Sequence, residues 1–119
     1  PKPNRMSHFS NLFSIFVAKF RYMKDQITDK QKQAARYAKA LGHPVRMYIL
    51  ELLAKQACCY SGDLSEILPI AKSTLSQHLK ELKEAGLIQG TIERPKIKYC
   101  LNQENWEHAK KLFKEFFDL

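Results

Sequence analysis

The stretch of residues 72–101 constrains the fold most, because its periodicity changes from helical to strand-like at a single glycine. Leucines stand at positions 75, 79 and 82, the spacing of one helix face. Gly86 follows where such a helix would end. Residues 87–93 then alternate weakly as a strand, 94–96 favour a tight turn, and 97–101 alternate strictly. This order predicts a helix followed by a two-stranded ribbon.

The remaining elements predicted by the sequence are almost all helical. Thr28 followed by Gln31 is a helix N-cap signal, Pro44 suits the first turn of a helix, and Asn102 can cap another. Helices are predicted at 9–20, 28–41, 45–56, 64–68, 72–85 and 104–117, with a short strand at 57–60. The fold class is therefore mainly α with a small β-ribbon (α+β), in the order of a winged helix-turn-helix with flanking helices.

The charge of the chain favours a polyanionic partner. Lys and Arg number 20 against 12 Asp and Glu, which gives +8 over 119 residues. Residues 1–24 contain five basic residues and no acid, and residues 72–98 contain six basic residues against three acids. Beyond the N-terminal segment, the second of these stretches is the basic one, and it coincides with the predicted helix and ribbon. Double-stranded DNA is the expected partner.

The N-terminal residues 1–28 are predicted to form an extension with an amphipathic helix, ahead of a domain at 29–119. Met23 resembles a natural start of translation, so residues 1–22 are either a genuine element or an upstream-derived or added extension. The longest apolar run, 15–18, is too short to span a bilayer, and no signal peptide is evident. Three cysteines do not make a secreted disulfide framework. A cytoplasmic location without a membrane partner is expected.

The outer face of the helix at 72–85 carries the candidate DNA contacts. Short polar side chains there suit base edges and phosphates, and lysines suit phosphates alone. The helix contributes Lys72, Ser73, Thr74, Ser76, Gln77, His78 and Lys80, and the ribbon contributes Arg94, Lys96 and Lys98. The alternative is a solvated polar helix face beside an ordinary hairpin, which is how most such charge runs are used.

Two motifs resemble the ArsR family of bacterial winged-helix repressors. They are Leu-Gly-His-Pro-Val-Arg at 41–46 and Ser-Thr-Leu-Ser-Gln-His-Leu-Lys-Glu-Leu-Lys-Glu-Ala-Gly-Leu-Ile at 73–88. The Lys-Ile-Lys-Tyr-Cys-Leu segment at 96–101 is similar to the second wing strand of that family. The resemblance covers about residues 29–117. It implies a homodimer that represses at an inverted-repeat operator until an effector binds.

The resemblance also implies which surfaces form the two-fold interface. The last helix has a broad apolar stripe, which the family would pair with the first helix of the domain. The implied interface residues are Tyr37, Trp106, Ala109, Leu112, Phe113, Phe116 and Phe117. The alternative is packing of this stripe onto the core of the same chain, and the two uses are compatible.

The three cysteines suggest an effector site. If the strand at 57–60 pairs with the second wing strand, Cys58 or Cys59 comes near Cys100. Such thiols suit a thiophilic metal, a metalloid or a regulatory disulfide, whereas the alternative is that they are small buried hydrophobes. The metal patterns of the family fit poorly, because Cys58 and Cys59 are adjacent and His108 is the single histidine of the last helix. The sequence therefore does not require a cofactor. The candidate that the cysteines allow is a thiolate-bound metal or metalloid.

No phosphate-binding glycine loop and no Ser-His-Asp set is recognisable, so an enzyme is not expected. The leading prediction is a dimeric DNA-binding transcriptional regulator. Two alternatives remain: a winged-helix module for protein interaction and dimerisation, without sequence-specific DNA binding, and an RNA-binding winged helix. Binding to a palindromic duplex, compared with random duplex and RNA, separates them.

Overall fold

A computed structural model describes the backbone of residues 5–56, 64–93 and 96–119, and the side chains of 10–56, 64–90 and 98–119. The chain forms two compact units, Pro1–Lys32 and Gln33–Leu119. The elements are α1 (Arg5–Gln26), α2 (Asp29–Leu41), α3 (Pro44–Lys55), α4 (Leu64–Ile67), α5 (Lys72–Glu84), β1 (Ile88–Glu93), β2 (Lys96–Leu101) and α6 (Gln103–Phe117). The predicted boundary after residue 28 remains a prediction.

The first unit consists mainly of α1, so a helix lies where the phenylalanine spacing predicted one. The helix is longer than the predicted 9–20, since it runs from Arg5 to Gln26. Its large apolar side chains are exposed, Phe16 to 66% and Phe20 to 53%. In the described part of the chain, no helix is both long enough and apolar enough to cross a membrane.

The predicted capping residues begin three of the helices. At α2, the Thr28 hydroxyl accepts from the Gln31 N–H at 3.1 Å, and Gln31 Oε1 accepts from the Thr28 N–H at 2.8 Å, a reciprocal capping box. At α6, Asn102 Oδ1 accepts from the Asn105 N–H at 3.1 Å. At α3, Pro44 lies in the first turn as predicted. Each bond satisfies a backbone donor that the helix itself leaves without a partner.

The core of the second unit is formed by the inward faces of α2, α3, α5 and α6 together with the start of the ribbon. Ile49, Leu50, Leu82 and Leu87 are almost completely buried. Each such side chain contributes roughly 1.5–3 kcal/mol of transfer free energy relative to an exposed one. Around them lie Tyr37, Ala40, Leu53, Leu64, Leu75, Leu79, Ala85, Ile88, Leu101, Ala109 and Leu112. The leucine stripe that predicted α5 is therefore the face that holds α5 in place.

Gly86 ends α5 in the way the sequence predicted. Its φ is +83°, and the N–H groups of Gly86 and Leu87 bond back to the carbonyls of Lys83 and Leu82 at 3.0 and 3.1 Å. This is a Schellman motif, which needs a left-handed residue. A Cβ at Gly86 would also lie 2.8 Å from Nδ2 of Asn105, which donates to the Gly86 carbonyl at 2.9 Å. The end of α5 is thus joined directly to the first turn of α6.

The two strands form the predicted antiparallel ribbon. Its register pairs Ile88 with Leu101, Gly90 with Tyr99 and Glu93 with Lys96. The strand bounds differ from prediction by one residue, because Leu87 closes the Schellman motif and Lys96 already pairs with Glu93. The strand predicted at 57–60 lies outside the described residues. A mainly helical chain with this small sheet confirms the predicted fold class.

Candidate nucleic-acid interface

The N-terminal half of α5 presents a continuous polar face opposite its buried leucines. Leu75 and Leu79 are 6% and 7% exposed, which fixes the rotation of the helix about its axis. The side chains that point to solvent are Lys72, Ser73, Thr74, Ser76, Gln77 and Lys80. Six of the seven helix residues predicted to contact DNA are therefore accessible. Lys80 Nζ also lies 3.9 Å from Glu84 Oε1, a contact between two exposed groups that stabilises little.

His78 is the exception, and the prediction that it lies on the outer face is wrong. It is 9% exposed, and its ring centroid lies 4.3 Å from that of His43. The reason is the helix period: His78 stands three residues after Leu75 and four before Leu82, so it belongs to the buried stripe. The spacing contained this information, since positions 75, 78, 79 and 82 form one helix face.

Arg46 is the residue that His78 meets, and sequence reasoning gave it no role. Its Nε donates to the Ala40 carbonyl at 2.7 Å, and one terminal nitrogen donates to the Lys39 carbonyl at 3.2 Å. The other terminal nitrogen lies 3.2 Å from Nδ1 of His78. These carbonyls are among those that the C-terminus of α2 cannot satisfy internally. One guanidinium therefore connects the end of α2, the start of α3 and the middle of α5.

The protonation state of His78 follows from this contact. A guanidinium donates and never accepts, so Nδ1 of His78 must accept and the ring must be neutral. Burial lowers the pKa of His78 below its ordinary value of 6.5, and the charges of His43 and Arg46 lower it further. His43 is held by its own bond, since its Nδ1 accepts from the Val45 N–H at 3.1 Å and caps α3.

We expect the chain to lose stability as the pH falls through about 6.5. Because the pKa of His78 is lowered in the folded state, the unfolded chain takes up a proton first, and acidification favours unfolding. Urea unfolding at pH about 7.5 and about 5.5 would measure this for the native chain and for His78→Gln. The native chain should lose more stability over this interval than the variant. Equal losses would contradict the role of His78.

A second ion pair connects α2 to α5. Arg36 donates to Glu81 Oε1 at 2.7 Å, with both side chains partly exposed. The hydrogen bond from Arg36 lowers the pKa of Glu81 below its ordinary value of 4.5, although desolvation opposes the shift. The two residues are 45 positions apart, so no local pattern could have paired them. Together with Arg46, this pair connects two neighbouring positions of α5, His78 and Glu81, to α2 and α3.

The structure describes only some of the ribbon residues that are predicted to contact DNA. Lys98 is exposed. The backbone of Lys96 pairs with Glu93, while its side chain and the whole of Arg94 lie outside what the structure describes. Tyr99 is half-buried beside Gly90, where a Cβ would lie 3.1 Å from the tyrosine ring, and burial raises the pKa of Tyr99. The absence of a side chain at Gly90 therefore leaves room for the Tyr99 ring.

The implied dimer residues divide into two groups, and the first requires a correction. Tyr37, Ala109 and Leu112 are 2–6% exposed within one chain, so they belong to its own core and offer almost no surface to a partner. The Tyr37 hydroxyl also lies 3.3 Å from Nδ1 of His108. Trp106 and Phe113 are half-buried against the same core. Outermost on α6, Phe116 and Phe117 remain 58% and 77% exposed.

The thiol residues are only partly described. Cys100 is half-buried on β2 and disulfide-bonded. Cys58 and Cys59 lie outside the described residues. Among the residues that the structure covers, no three histidine, cysteine, aspartate or glutamate side chains are grouped so that they could hold a metal ion.

Comparison with known proteins identifies the family. The family model for "Bacterial regulatory protein, arsR family" matches residues 43–89, which include α3, α5 and the start of β1. The HTH-type transcriptional regulator YgaV of Escherichia coli (strain K12) is 33% identical over 79 residues, covering 66% of this chain and 80% of YgaV. The HTH-type transcriptional regulator CmtR of Mycobacterium tuberculosis (strain ATCC 25618 / H37Rv) is 35% identical over 80 residues, 67% of each chain.

The fold agrees with this relationship. The solved structure of HlyU from Vibrio cholerae N16961 matches with a TM-score of 0.61 at 26% identity, covering 78% of this chain and 100% of HlyU. The winged-helix prediction is therefore confirmed, and so is the prediction that the chain is a regulator and not an enzyme. The chain belongs to the bacterial ArsR family of DNA-binding transcriptional regulators.

Proposed function

We propose that the chain represses transcription in the cytoplasm as a homodimer that reads an inverted-repeat operator through the N-terminal half of α5. The observation that carries this proposal is the exposed polar face around Gln77, opposite leucines that fix the rotation of the helix. A glutamine there can pair bidentately with adenine in the major groove, and the shorter Ser73, Thr74 and Ser76 can reach base edges or phosphates. Lys72 and Lys80 flank this face and suit phosphates.

The ribbon adds the sequence-independent part of binding. Lys98 is exposed on β2, and the sequence places Arg94 and Lys96 at the turn between the strands. Cations at this position suit the phosphate backbone of the DNA beside the groove that α5 is proposed to enter. Neutralised phosphates release counterions, so binding through these residues falls as salt rises.

The symmetry of the operator is proposed to follow from pairing of two chains through α6. Phe116 and Phe117 are the most exposed aromatic residues of that helix, and their rings pack edge to face with centroids 5.7 Å apart. Burying such a pair against its symmetry mate stabilises a two-fold dimer. Two recognition helices would then meet half-sites about 34–36 Å apart, one turn of duplex.

Gln77→Ala is expected to weaken operator binding by about 1–3 kcal/mol and to leave random-duplex binding nearly unchanged, because a base contact is lost. Lys96→Ala should weaken both and reduce the salt dependence, because a phosphate contact is lost. Fluorescence anisotropy over a salt series measures both quantities. His78→Ala serves as a comparison with Gln77→Ala. Because His78 is buried, its replacement should weaken operator binding only by destabilising the fold.

The control is Lys55→Ala, which removes an exposed cation from the last turn of α3, outside the predicted DNA contacts. Operator binding by Gln77→Ala and Lys96→Ala equal to that of the native chain would contradict the assignment. A native chain that binds palindromic duplex, random duplex and RNA equally would favour one of the alternative classes, the protein-interaction module or the RNA-binding winged helix.

We further propose that Cys100, together with Cys58 or Cys59, releases the operator when a thiophilic metal or metalloid binds or when an oxidant converts two thiols to a disulfide. The support is that Cys100 is disulfide-bonded and lies on the wing strand, next to Tyr99 and Leu101. A cross-link or metal at this strand would change the angle between wing and recognition helix.

Cys100→Ser is expected to hold the operator in the presence of arsenite and of dilute hydrogen peroxide, while the native chain is released by at least one of them. The measurement is operator occupancy after each treatment, with excess dithiothreitol restoring binding after the peroxide. Release of Cys100→Ser by both reagents, as in the native chain, would remove Cys100 from the mechanism.

A further inference from the structure

The helix α1 has an apolar face that is exposed from Leu12 to Met23. At 3.6 residues per turn, Leu12, Phe13, Phe16, Phe20 and Met23 point to the same side. Between 53% and 66% of each of these five side chains is exposed. Continuous apolar surface of this kind marks an interaction site, since isolated exposed hydrophobic residues would not share one face.

Cations accompany this apolar face. Lys19 lies along one edge of it and Lys24 along the other, while Arg21 lies on the far side of the helix. Residues 1–24 contain no acidic residue, and the first one is Asp25. The helix therefore combines an exposed aromatic face with basic flanks and a net positive charge.

We propose that α1 binds the surface of an anionic phospholipid bilayer, lying in the plane of the interface. Phenylalanine and leucine side chains enter the acyl boundary, while Lys19 and Lys24 extend along the edges to the phosphate groups. Bilayer spanning is not involved, so the absence of a spanning helix from the described residues does not bear on it. This proposal departs from the sequence-based expectation of no membrane partner.

Charge favours an anionic bilayer over a second copy of α1 and over DNA as the partner of this surface. A second copy of α1 would bring together two helices that each carry four basic residues and one acidic residue, and this excess of like charge opposes the pairing. DNA would satisfy the cations but would leave the phenylalanines in water. An anionic bilayer satisfies both parts of the surface.

The test is co-sedimentation of the full chain with large vesicles of phosphatidylglycerol and phosphatidylcholine, compared with vesicles of phosphatidylcholine alone. We expect sedimentation with the anionic vesicles and little with the neutral ones. The triple variant Phe13→Ala, Phe16→Ala, Phe20→Ala should bind about tenfold more weakly or worse. Alanine favours helix, so circular dichroism should confirm that the helix is retained.

The matched control is Ile15→Ala. Ile15 is 52% exposed on the same helix but points away from the apolar face, so its loss should leave vesicle binding unchanged. Equal binding to neutral and anionic vesicles, or unchanged binding of the triple variant, would overturn the proposal. Sedimentation equilibrium without lipid gives a further check. A lower mass for the triple variant than for the native chain would identify a second copy as the partner of this face and would also overturn the proposal. Loss of DNA affinity in the triple variant without any vesicle binding by the native chain would point to DNA instead.

Discussion

Replacing Leu82 with alanine is expected to lower the free energy of unfolding by about 2–5 kcal/mol. Leu82 is completely buried in the stripe of α5 that faces the core. Its carbonyl also accepts the Leu87 N–H in the Schellman motif that ends the helix. Removal of the side chain leaves a cavity beneath α5, because the surrounding helices can relax only in part. Urea denaturation followed by far-ultraviolet circular dichroism measures the loss.

Met47→Ala is the matched control for this substitution. Met47 is 58% exposed on α3, so the same kind of truncation should change stability by less than about 1 kcal/mol. Similar losses for the two variants would mean that α5 does not pack as described. Since a domain of this size is stable by only about 5–15 kcal/mol, the Leu82 variant should also show a clearly lower midpoint of unfolding.

Arg46→Ala is expected to lower the free energy of unfolding by about 2–4 kcal/mol, because hydrogen bonds from one charged group are lost. The Ala40 carbonyl loses the Arg46 donor, whereas the Lys39 carbonyl still accepts from the Gly42 N–H at 3.2 Å. Ala40 accepts at 2.7 Å, Lys39 at 3.2 Å, and His78 lies at 3.2 Å on the remaining nitrogen. Operator affinity should fall together with stability, since His78 lies on α5, the helix proposed to read the operator. Denaturation and anisotropy on the same preparations measure the two effects.

Arg46→Lys is the informative companion variant. Lysine keeps the charge but cannot donate in three fixed directions, so it should restore only a minor part of the stability. Lys55→Ala, which breaks an exposed pair with Glu51 on the same helix, should cost less than about 1 kcal/mol. Full recovery by lysine would show that charge, and not the planar donor geometry, explains the role of Arg46.

Local signals in the sequence predicted most of the elements. The capping box at Thr28, the proline at the start of α3 and the glycine after α5 each act through the backbone within a few residues, so their effect can be read without the fold. The exposed polar half of α5 was also predictable, since leucine spacing fixes which side of a helix is buried. His78 was misplaced because its polarity was given more weight than its position in that spacing.

Contacts between distant residues could not be predicted in the same way. Arg36 and Glu81 lie on different helices, and Arg46 meets His78 only because α3 and α5 pack together. The interface role of Tyr37 and Leu112 was wrong for a related reason: an apolar stripe indicates that a face is covered, but does not indicate whether the same chain covers it. Packing in three dimensions decides both questions.

The two arginine contacts to α5 have a thermodynamic consequence for recognition. Arg36 and Arg46 contact Glu81 and His78, which are neighbouring positions on one face of α5, before any DNA is present, so the orientation of the helix is established during folding. The entropy of ordering this helix is then not subtracted from the free energy of association. Operator binding should accordingly show the modest negative heat-capacity change of two preformed surfaces meeting, without the large additional change that accompanies folding of a segment on its target.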